Sequence, residues 1–298
     1  MPEPLIILCP PRSYSSIVCG IIGQHPDCYG LPELNLFMGD SLGEVWGGHA
    51  GFMRTFGRDG LLRTLAQLHD GEQRPDTIVR AREWITQHSA WPIRQVFDHI
   101  QELVGNKILV EKSPSTVFNA DFLNRMLRTF PKANILHLLR HPRGTASSVL
   151  SLRAGREGLN RLVGNLESMD PERTWRRTHQ MIVNATDQLP LGQCMRLKGE
   201  ALLSNLKVYL PQICEWLDIR TDQEALEAMM HPEHSPYAGP GPTGATGGND
   251  PNFLAEPKLD LARLAKLREP FLPGELSWRP GQFFEPSTLK LAKQLGYS

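Results

Sequence analysis

Polar and charged side chains suited to binding a phosphate occupy a short turn near the start of the chain. The turn contains Arg12 and three serines, Ser13, Ser15 and Ser16. A guanidinium carries a delocalised positive charge with several N–H donors, and each hydroxyl adds another donor. This set therefore suits a phosphate or sulfate group. The turn is not a Walker A loop, because the glycines and the lysine of that motif are missing.

Two other places in the sequence put a cationic residue shortly after an apolar run. Lys112 follows residues 108–110 with Glu111 between, and Arg140 directly follows residues 134–139, with seven residues between it and Ser148. Taken singly, each has an ordinary interpretation as a solvated lysine, an arginine at a helix start or a small packing residue. A functional interpretation requires a fold that brings them to the first turn.

The elements around the first turn have the pattern of a buried strand followed by a helix. Residues 5–9 form an unbroken apolar run, typical of a strand covered on both faces of a parallel sheet, and two prolines end it. The next apolar residues have the spacing of one helix face, at Ile17, Val18, Ile21 and Ile22. The turn thus lies at a helix N-terminus, where free N–H groups and the helix dipole favour an anion. Serines that merely cap the helix would give the same pattern.

The rest of the chain alternates strand and helix patterns, which predicts an α/β fold with a P-loop-like, doubly wound parallel sheet flanked by helices. A short second strand follows the first helix, and the later ones are predicted at residues 108–110, 134–139 and 194–197. No strand signal interrupts residues 40–105, so this block is predicted to be a helical cap inserted between strands, with helices near 60–69, 76–88 and 92–104. Because the carboxyl ends of parallel strands meet at one edge, the cationic residues are expected there.

Helix ends and the last third of the chain give further expectations. Asp76 and Ser287 are predicted helix N-caps, and Pro211 predicts a kink or a split in a helix over 200–217. Residues 231–257 form a loop rich in glycine and proline, within which 239–249 is either a lid over a bound anion or a plain surface loop.

Composition limits the classes of partner and the cellular compartment. The 298 residues are expected to form a single domain, 1–298, and 32 basic residues balance 32 acidic ones, which argues against nucleic acid or an acidic membrane surface as partners. Five cysteines without a CxxC pair are expected to be buried, reduced thiols of a cytoplasmic protein. The ten histidines have no metal-ligand spacing, so no metal is expected.

Together these residues resemble the sulfotransferases that use 3′-phosphoadenosine 5′-phosphosulfate (PAPS), in the branch with the tyrosylprotein sulfotransferases and the bacterial and polyketide-associated small-molecule enzymes. Residues 11–16, Pro-Arg-Ser-Tyr-Ser-Ser, are similar to the family's 5′-phosphosulfate loop, and Arg140 with Ser148 is similar to its 3′-phosphate clamp. Lys112 lies in a Lys-x-Pro element like that of the branch, and Glu33 lies where the branch carries its catalytic glutamate.

The resemblance implies transfer of a sulfuryl group from PAPS to a hydroxyl of a small, free or carrier-bound acceptor, leaving 3′,5′-ADP. The implied catalytic residues are Glu33 as general base, Lys112 and Arg12. The implied donor-binding residues are Arg12, Ser13, Tyr14, Ser15, Ser16, Arg140 and Ser148. The resemblance runs from residue 5 to about 217, supported by a late segment at 196–203, and is weakest over 40–105. Neither the acceptor nor the oligomeric state follows from it.

Two positions depart from the family pattern. Tyr14 replaces the usual loop glycine, and because a bulky residue at positive φ is strained, a negative φ is expected for it. Asn35 stands where the polyketide-attached domains are associated with a histidine, and an amide cannot act as acid or base.

Two alternatives stay open, a P-loop kinase-like enzyme and a non-catalytic nucleotide-binding protein of the same fold. The acceptor pocket is expected between the sheet edge and the cap, lined by some of its aromatic residues, which could equally be core: Trp46, Phe52, Phe56, Trp84 and Trp91.

Overall fold

A computed structural model of the chain describes residues 1–48, 57–154 and 170–298. A parallel five-stranded sheet forms its centre, with the strands in the order β2-β3-β1-β4-β5. The strands are β1 Leu5–Leu8, β2 Cys28–Gly30, β3 Ile108–Glu111, β4 Asn134–Leu139 and β5 Cys194–Lys198. The predicted doubly wound α/β sheet is therefore confirmed.

The register of the sheet aligns the strand ends that matter for the site. On β1, Leu5 is opposite Val110 of β3 and Asn134 of β4. The chain leaves β1 toward β2 on one side and leaves β4 toward β5 on the other. The loops after β1 and β4 thus diverge, and such a switch point forms a crevice at the carboxyl edge of an open α/β sheet.

Fourteen described helices surround the sheet. They are α1 Ser15–Gly23, α2 Leu42–Gly47, α3 Asp59–Asp70, α4 Pro75–Gln87, α5 Ile93–Val104, α6 Ala120–Thr129, α7 Pro142–Ala154, α8 Pro171–Thr186, α9 Gly199–Ser204, α10 Leu206–Leu217, α11 Gln223–Ala228, α12 Pro251–Ala255, α13 Leu261–Leu264 and α14 Pro286–Gln294. Short 3-10 turns occur at Leu36–Met38, Pro114–Val117 and Pro232–His234. The longest described helix, α8, has 16 residues, and none of the described helices is long and apolar enough to cross a bilayer.

Side chains of β1 alternate between two apolar clusters, as expected for a strand covered on both faces. Ile6 and Leu8 pack with the helices of the 42–104 block, and Leu5 and Ile7 pack with α1 and α10 on the other face. Burial on both sides explains why the strand has an unbroken apolar sequence. The described part of 40–105 contains helices only, joined to the sheet by this shared core.

Three helix boundaries differ from the sequence-based expectations. The helix α4 begins two residues earlier than an N-cap at Asp76 would place it, because Arg74 provides the cap and Pro75 occupies the first turn. The last helix likewise begins at Pro286 rather than after Ser287. The break in 200–217 falls at Asn205, whereas Pro211 lies inside α10.

A pair of fully buried histidines lies between β4, β5 and α8. Arg196 Nε donates to Nδ1 of His137 (3.0 Å), so the other ring nitrogen of His137 donates to Nδ1 of His179 (2.9 Å). Burial is the main cause that lowers the pKa of His137 well below its usual value, and it lowers the pKa of His179 to about 3. Both rings are therefore neutral in the folded protein.

These two imidazoles predict a loss of stability in mild acid. Below about pH 6.5 the unfolded chain binds protons that the folded chain excludes, so the free energy of unfolding falls by about 1.4 kcal/mol per pH unit for each imidazole. In His179→Gln one of the two imidazoles is gone, so the slope of the free energy of unfolding against pH is expected to be smaller by about 1.4 kcal/mol per pH unit. Urea unfolding between about pH 6.5 and pH 4.5 measures it.

The difference in slope between wild type and His179→Gln gives the contribution of the His179 imidazole, because the other titrating groups are the same in both proteins. Glu111 acts in the opposite sense, because burial raises its pKa to about 7 and its contribution to stability is lost as the pH rises through that range. An unchanged slope in His179→Gln would show that the imidazole takes up its proton in the folded state.

Candidate active site

The turn between β1 and α1 is built from left-handed backbone. Arg12 has φ 69° and Tyr14 has φ 66°. The expectation of a negative φ at Tyr14 is therefore wrong, because a helix begins directly after this turn and the chain must reverse within a few residues. Non-glycine residues in this region cost about 1–3 kcal/mol each and persist where the surrounding structure determines them, which is a feature of functional sites.

The serines of the turn are buried at the N-terminus of α1. Ser13, Ser15 and Ser16 are all less than one-tenth exposed. The Ser13 hydroxyl is buried without a hydrogen-bond partner among the described residues. Since buried polar groups are nearly always satisfied, such a hydroxyl beside a helix N-terminus is typical of a site that binds an anion.

Lys112 joins the first turn to the predicted base. Its side chain is fully buried at the end of β3, and Nζ donates to Ser16 Oγ (2.9 Å) and to Glu33 Oε1 (2.9 Å). Glu33 is 29% exposed, so one side of its carboxylate faces solvent. The structure thus brings three predicted residues together: Lys112 forms an ion pair with Glu33 and a hydrogen bond with Ser16.

The hydroxyl of Ser16 has its lone pairs engaged within the protein. It accepts from Lys112 Nζ and from the backbone N–H of Asp250 (3.0 Å). A hydroxyl that accepts twice retains one O–H donor. That donor is free to bind an anion beside the Lys112 ammonium.

Arg12, Arg140 and Ser148 meet at the crevice between β1 and β4. Arg12 Nε donates to Ser148 Oγ (3.1 Å), and Arg140 Nη1 donates to the Arg12 carbonyl (2.6 Å). The Nε of Arg140 is buried and has no partner in the described part of the chain. Two guanidiniums and the hydroxyl of Ser148, all with unused donors, therefore lie along one edge of the sheet.

Asp250 completes this edge, and sequence reasoning missed it. Its carboxylate forms an ion pair with Arg12, and it also caps α12 by accepting from Asn252 N. The cap itself is readable from the Asp-Pro pair at a helix start. No sequence signal indicates the contact with Arg12, because 238 positions separate the two residues.

The segment 239–249 packs against α3. The guanidinium of Arg63, which is almost fully buried, donates to the carbonyls of Gly247 (2.8 Å) and Gly239 (3.2 Å). The Gly248 carbonyl accepts from the N–H of Glu33 (2.7 Å). This segment thus leads from the predicted base to Asp250.

Asn35 positions the Glu33 loop. It is buried with φ 55°, its amide donates to the Glu33 carbonyl (3.3 Å), and its Oδ1 accepts from Ser115 (2.6 Å). Its backbone N–H donates to Ser113, which in turn hydrogen-bonds to the buried carboxyl of Glu111. Burial is the main cause that raises the pKa of Glu111 to about 7, against hydrogen bonds from Ser113.

A small cavity adjoins the Glu33 loop. Its lining is mostly apolar and consists of Leu34, Asn35, Met38, Val45, Trp46, Gly57, Arg58 and Leu61. Of the aromatic residues expected at an acceptor pocket, Trp46 lines this cavity, while Trp84 and Trp91 pack edge to face with each other between α4 and α5. Phe52 and Phe56 lie outside the described residues.

Comparison with solved structures places this fold among known sulfotransferases. The sulfotransferase domain from the curacin biosynthetic pathway matches with a TM-score of 0.77 at 23% identity, covering 100% of this chain and 99% of that one. The sulfotransferase domain from the Synechococcus PCC 7002 olefin synthase matches with a TM-score of 0.72 at 25% identity, covering 100% and 97%. The curated proteins contain no match to this chain.

The family-level comparison covers most of the chain. Residues 4–223 match the model of the sulfotransferase family, a span that includes every residue predicted for the site. The strand order and the two structural matches agree with that assignment of fold. The chain belongs to the sulfotransferase family.

Proposed function

We propose that this protein transfers the sulfuryl group of PAPS to a hydroxyl of an acceptor with apolar surface, free or carrier-bound. The observation that carries the proposal is the ion-paired group of Lys112 and Glu33 next to Ser16. Lys112 contacts both the first turn, where Arg12 and Arg140 lie, and the Glu33 carboxylate, which is partly exposed to solvent.

The residues present fit a donor with two phosphate groups. Arg140 Nε and Ser13 Oγ are buried donors without partners among the described residues, and such groups cost roughly 1–3 kcal/mol each while unsatisfied. A phosphate beside Arg12 and the α1 N-terminus and another beside Arg140 and Ser148 would satisfy them. Charge-assisted hydrogen bonds of this kind are about twice as strong as neutral ones.

When bound, PAPS supplies an activated sulfuryl group, and 3′,5′-ADP leaves through its 5′-phosphate. Lys112 holds a fixed positive charge where negative charge develops during transfer, and the first turn of α1 adds N–H donors. Glu33 accepts the proton of the acceptor hydroxyl, and its ion pair with Lys112 orients the carboxylate. Asn35 holds the Glu33 backbone in place.

The acceptor is proposed to bind beside Glu33, where the small cavity lined by Trp46 adjoins the Glu33 loop. Its mostly apolar lining favours an apolar or aromatic acceptor over a charged sugar. The two structurally similar domains come from a biosynthetic pathway and an olefin synthase, which supports a small-molecule or carrier-bound acceptor.

The alternatives have less support. A P-loop kinase holds its phosphates with a Walker A loop, whereas residues 10–16 have neither the glycines nor the lysine of that motif. A non-catalytic protein has no need for Glu33 paired with a buried lysine.

Incubation with ³⁵S-labelled PAPS and a set of hydroxyl compounds tests the proposal. We expect labelled product with at least one apolar or aromatic alcohol or phenol, without added magnesium, and at least about a hundredfold less with Glu33→Gln. Magnesium-dependent ATP turnover, or a complete absence of sulfated product from free and carrier-bound acceptors, would overturn it.

The ion pair between Asp250 and Arg12 predicts competition with the donor. The Asp250 carboxylate forms an ion pair with the Arg12 guanidinium, to which a donor phosphate is proposed to bind. Asp250→Asn is expected to tighten 3′,5′-ADP binding roughly three- to tenfold, about 0.7–1.4 kcal/mol, because a partly buried competing charge is removed. Isothermal titration calorimetry measures the change.

Asparagine caps helices as well as aspartate does, so this variant preserves the start of α12. Asp260→Asn is the matched control, because Asp260 caps α13 in the same way without an ion pair to the site. Binding that weakens or stays unchanged in Asp250→Asn would show that Asp250 only supports Arg12.

A further inference from the structure

Tyr14 and Arg140 form a cation–π pair at the crevice of the sheet. The Arg140 guanidinium carbon lies 4.2 Å from the centroid of the Tyr14 ring. Tyr14 reaches this position only with left-handed backbone, at φ 66° and ψ 9°. A tyrosine in that region is strained, whereas a glycine is not. The strained residue therefore has a role that a glycine would not perform.

One edge of the Tyr14 ring lies where a side chain at Gly199 would be. Gly199, the first residue of α9, is so close that a Cβ built on it would lie 2.5 Å from Tyr14 Cδ2 and 3.1 Å from the Leu139 carbonyl. Any larger residue at 199 would displace the ring. The Tyr14 ring thus contacts the Arg140 guanidinium and also fills the space left by a glycine.

The surroundings of Arg140 leave its orientation dependent on few contacts. Nη1 donates to the Arg12 carbonyl, and Gly144 of α7 lies close to Nε, since a Cβ there would be 3.3 Å from it. Nε itself has no partner among the residues described. Contact with the Tyr14 ring therefore helps to hold the guanidinium, and with it the unused N–H of Nε.

We propose that Tyr14 is a positioning residue that orients Arg140 toward the 3′-phosphate of the donor, with Gly199 as the residue that makes room for its ring. The inference rests on the proposed function, because it assigns Arg140 to that phosphate. Tyr14 thereby contributes to the preference for a 3′-phosphorylated nucleotide without contacting the transferring group.

Calorimetry with 3′,5′-ADP and 5′-AMP on wild type, Tyr14→Gly and Tyr14→Phe tests this role. Glycine relieves the backbone strain but removes a ring that packs on the core, so a thermal melt is used to check that Tyr14→Gly is folded at the temperature of the titration. It should nevertheless bind 3′,5′-ADP about tenfold more weakly, with the affinity for 5′-AMP changed less than about twofold. Tyr14→Phe, which keeps the ring, should recover most of the loss.

The outcomes separate the inference from the proposed function. Equal wild-type affinities for the two nucleotides would overturn the donor assignment and this inference with it. A wild-type preference for 3′,5′-ADP that Tyr14→Gly retains, or a loss of affinity for both nucleotides alike, would overturn the role of Tyr14 alone.

Gly199→Ala provides an independent test by a double-mutant cycle. The added methyl group should weaken 3′,5′-ADP binding when Tyr14 is present and should have a smaller effect in the Tyr14→Gly background, since the ring it displaces is gone. Additive effects in the two backgrounds would contradict the proposed coupling.

Discussion

Glu33→Gln is expected to lower kcat by about 10²- to 10⁴-fold, the usual contribution of a general base. Glutamine retains an oxygen that can accept the hydrogen bond from Lys112, so the geometry of the pair should persist. It cannot take a proton from an acceptor hydroxyl. Affinity for 3′,5′-ADP should remain close to wild type, because the carboxylate acts on the acceptor and not on the donor.

Glu83→Gln is a matched control for this variant, since Glu83 is exposed on α4 and no contact of it with the site is seen. Steady-state kinetics on the identified acceptor give kcat, and calorimetry gives the affinity for 3′,5′-ADP. If Glu33→Gln turns over at the wild-type rate, another group removes the acceptor proton. If it loses 3′,5′-ADP binding instead, Glu33 belongs to the donor site.

Lys112→Met is expected to lower kcat by about 10²- to 10³-fold, a loss typical of removing one preorganised donor from the reacting centre. Methionine has a similar length without the ammonium. The charge of Lys112 matters most when negative charge develops in the transition state, so kcat should fall much more than the affinity for 3′,5′-ADP.

The fold should tolerate this substitution, because Glu33, which loses its partner, is already partly exposed to water. A thermal melt of Lys112→Met checks that point, and Lys107→Met at an exposed position just before β3 is the control for the loss of a charge. A Lys112→Met enzyme that folds and keeps most of its kcat would remove Lys112 from the mechanism.

Local patterns were sufficient to predict where the cationic residues of the site gather. Lys112 and Arg140 each follow an apolar run, and both runs are strands of one parallel sheet beside β1. Because parallel strands end at the same edge, the strand prediction alone placed these residues near Arg12. The Lys112–Glu33 ion pair agrees with that expectation, since the loop after β2 ends beside β3.

Features set by tertiary contacts could not be predicted in the same way. The contacts that the left-handed Tyr14 makes with Arg140 and Gly199 join residues distant in sequence, whereas local preference favours a negative φ. The ion pair of Asp250 with Arg12 depends on how the glycine-rich segment packs on Arg63. Such packing overrides composition, which by itself favours a mobile loop.

The identity of the donor is tested most directly by calorimetry of wild-type protein with 3′,5′-ADP, ADP and 5′-AMP. ADP carries the same number of phosphates as 3′,5′-ADP, so it controls for charge. A phosphate held by Arg140 and Ser148 should contribute roughly 1.5–3 kcal/mol for each charge-assisted hydrogen bond. We therefore expect 3′,5′-ADP to bind at least about tenfold more tightly than either of the other nucleotides. Equal affinities for all three would contradict the assignment of PAPS as donor.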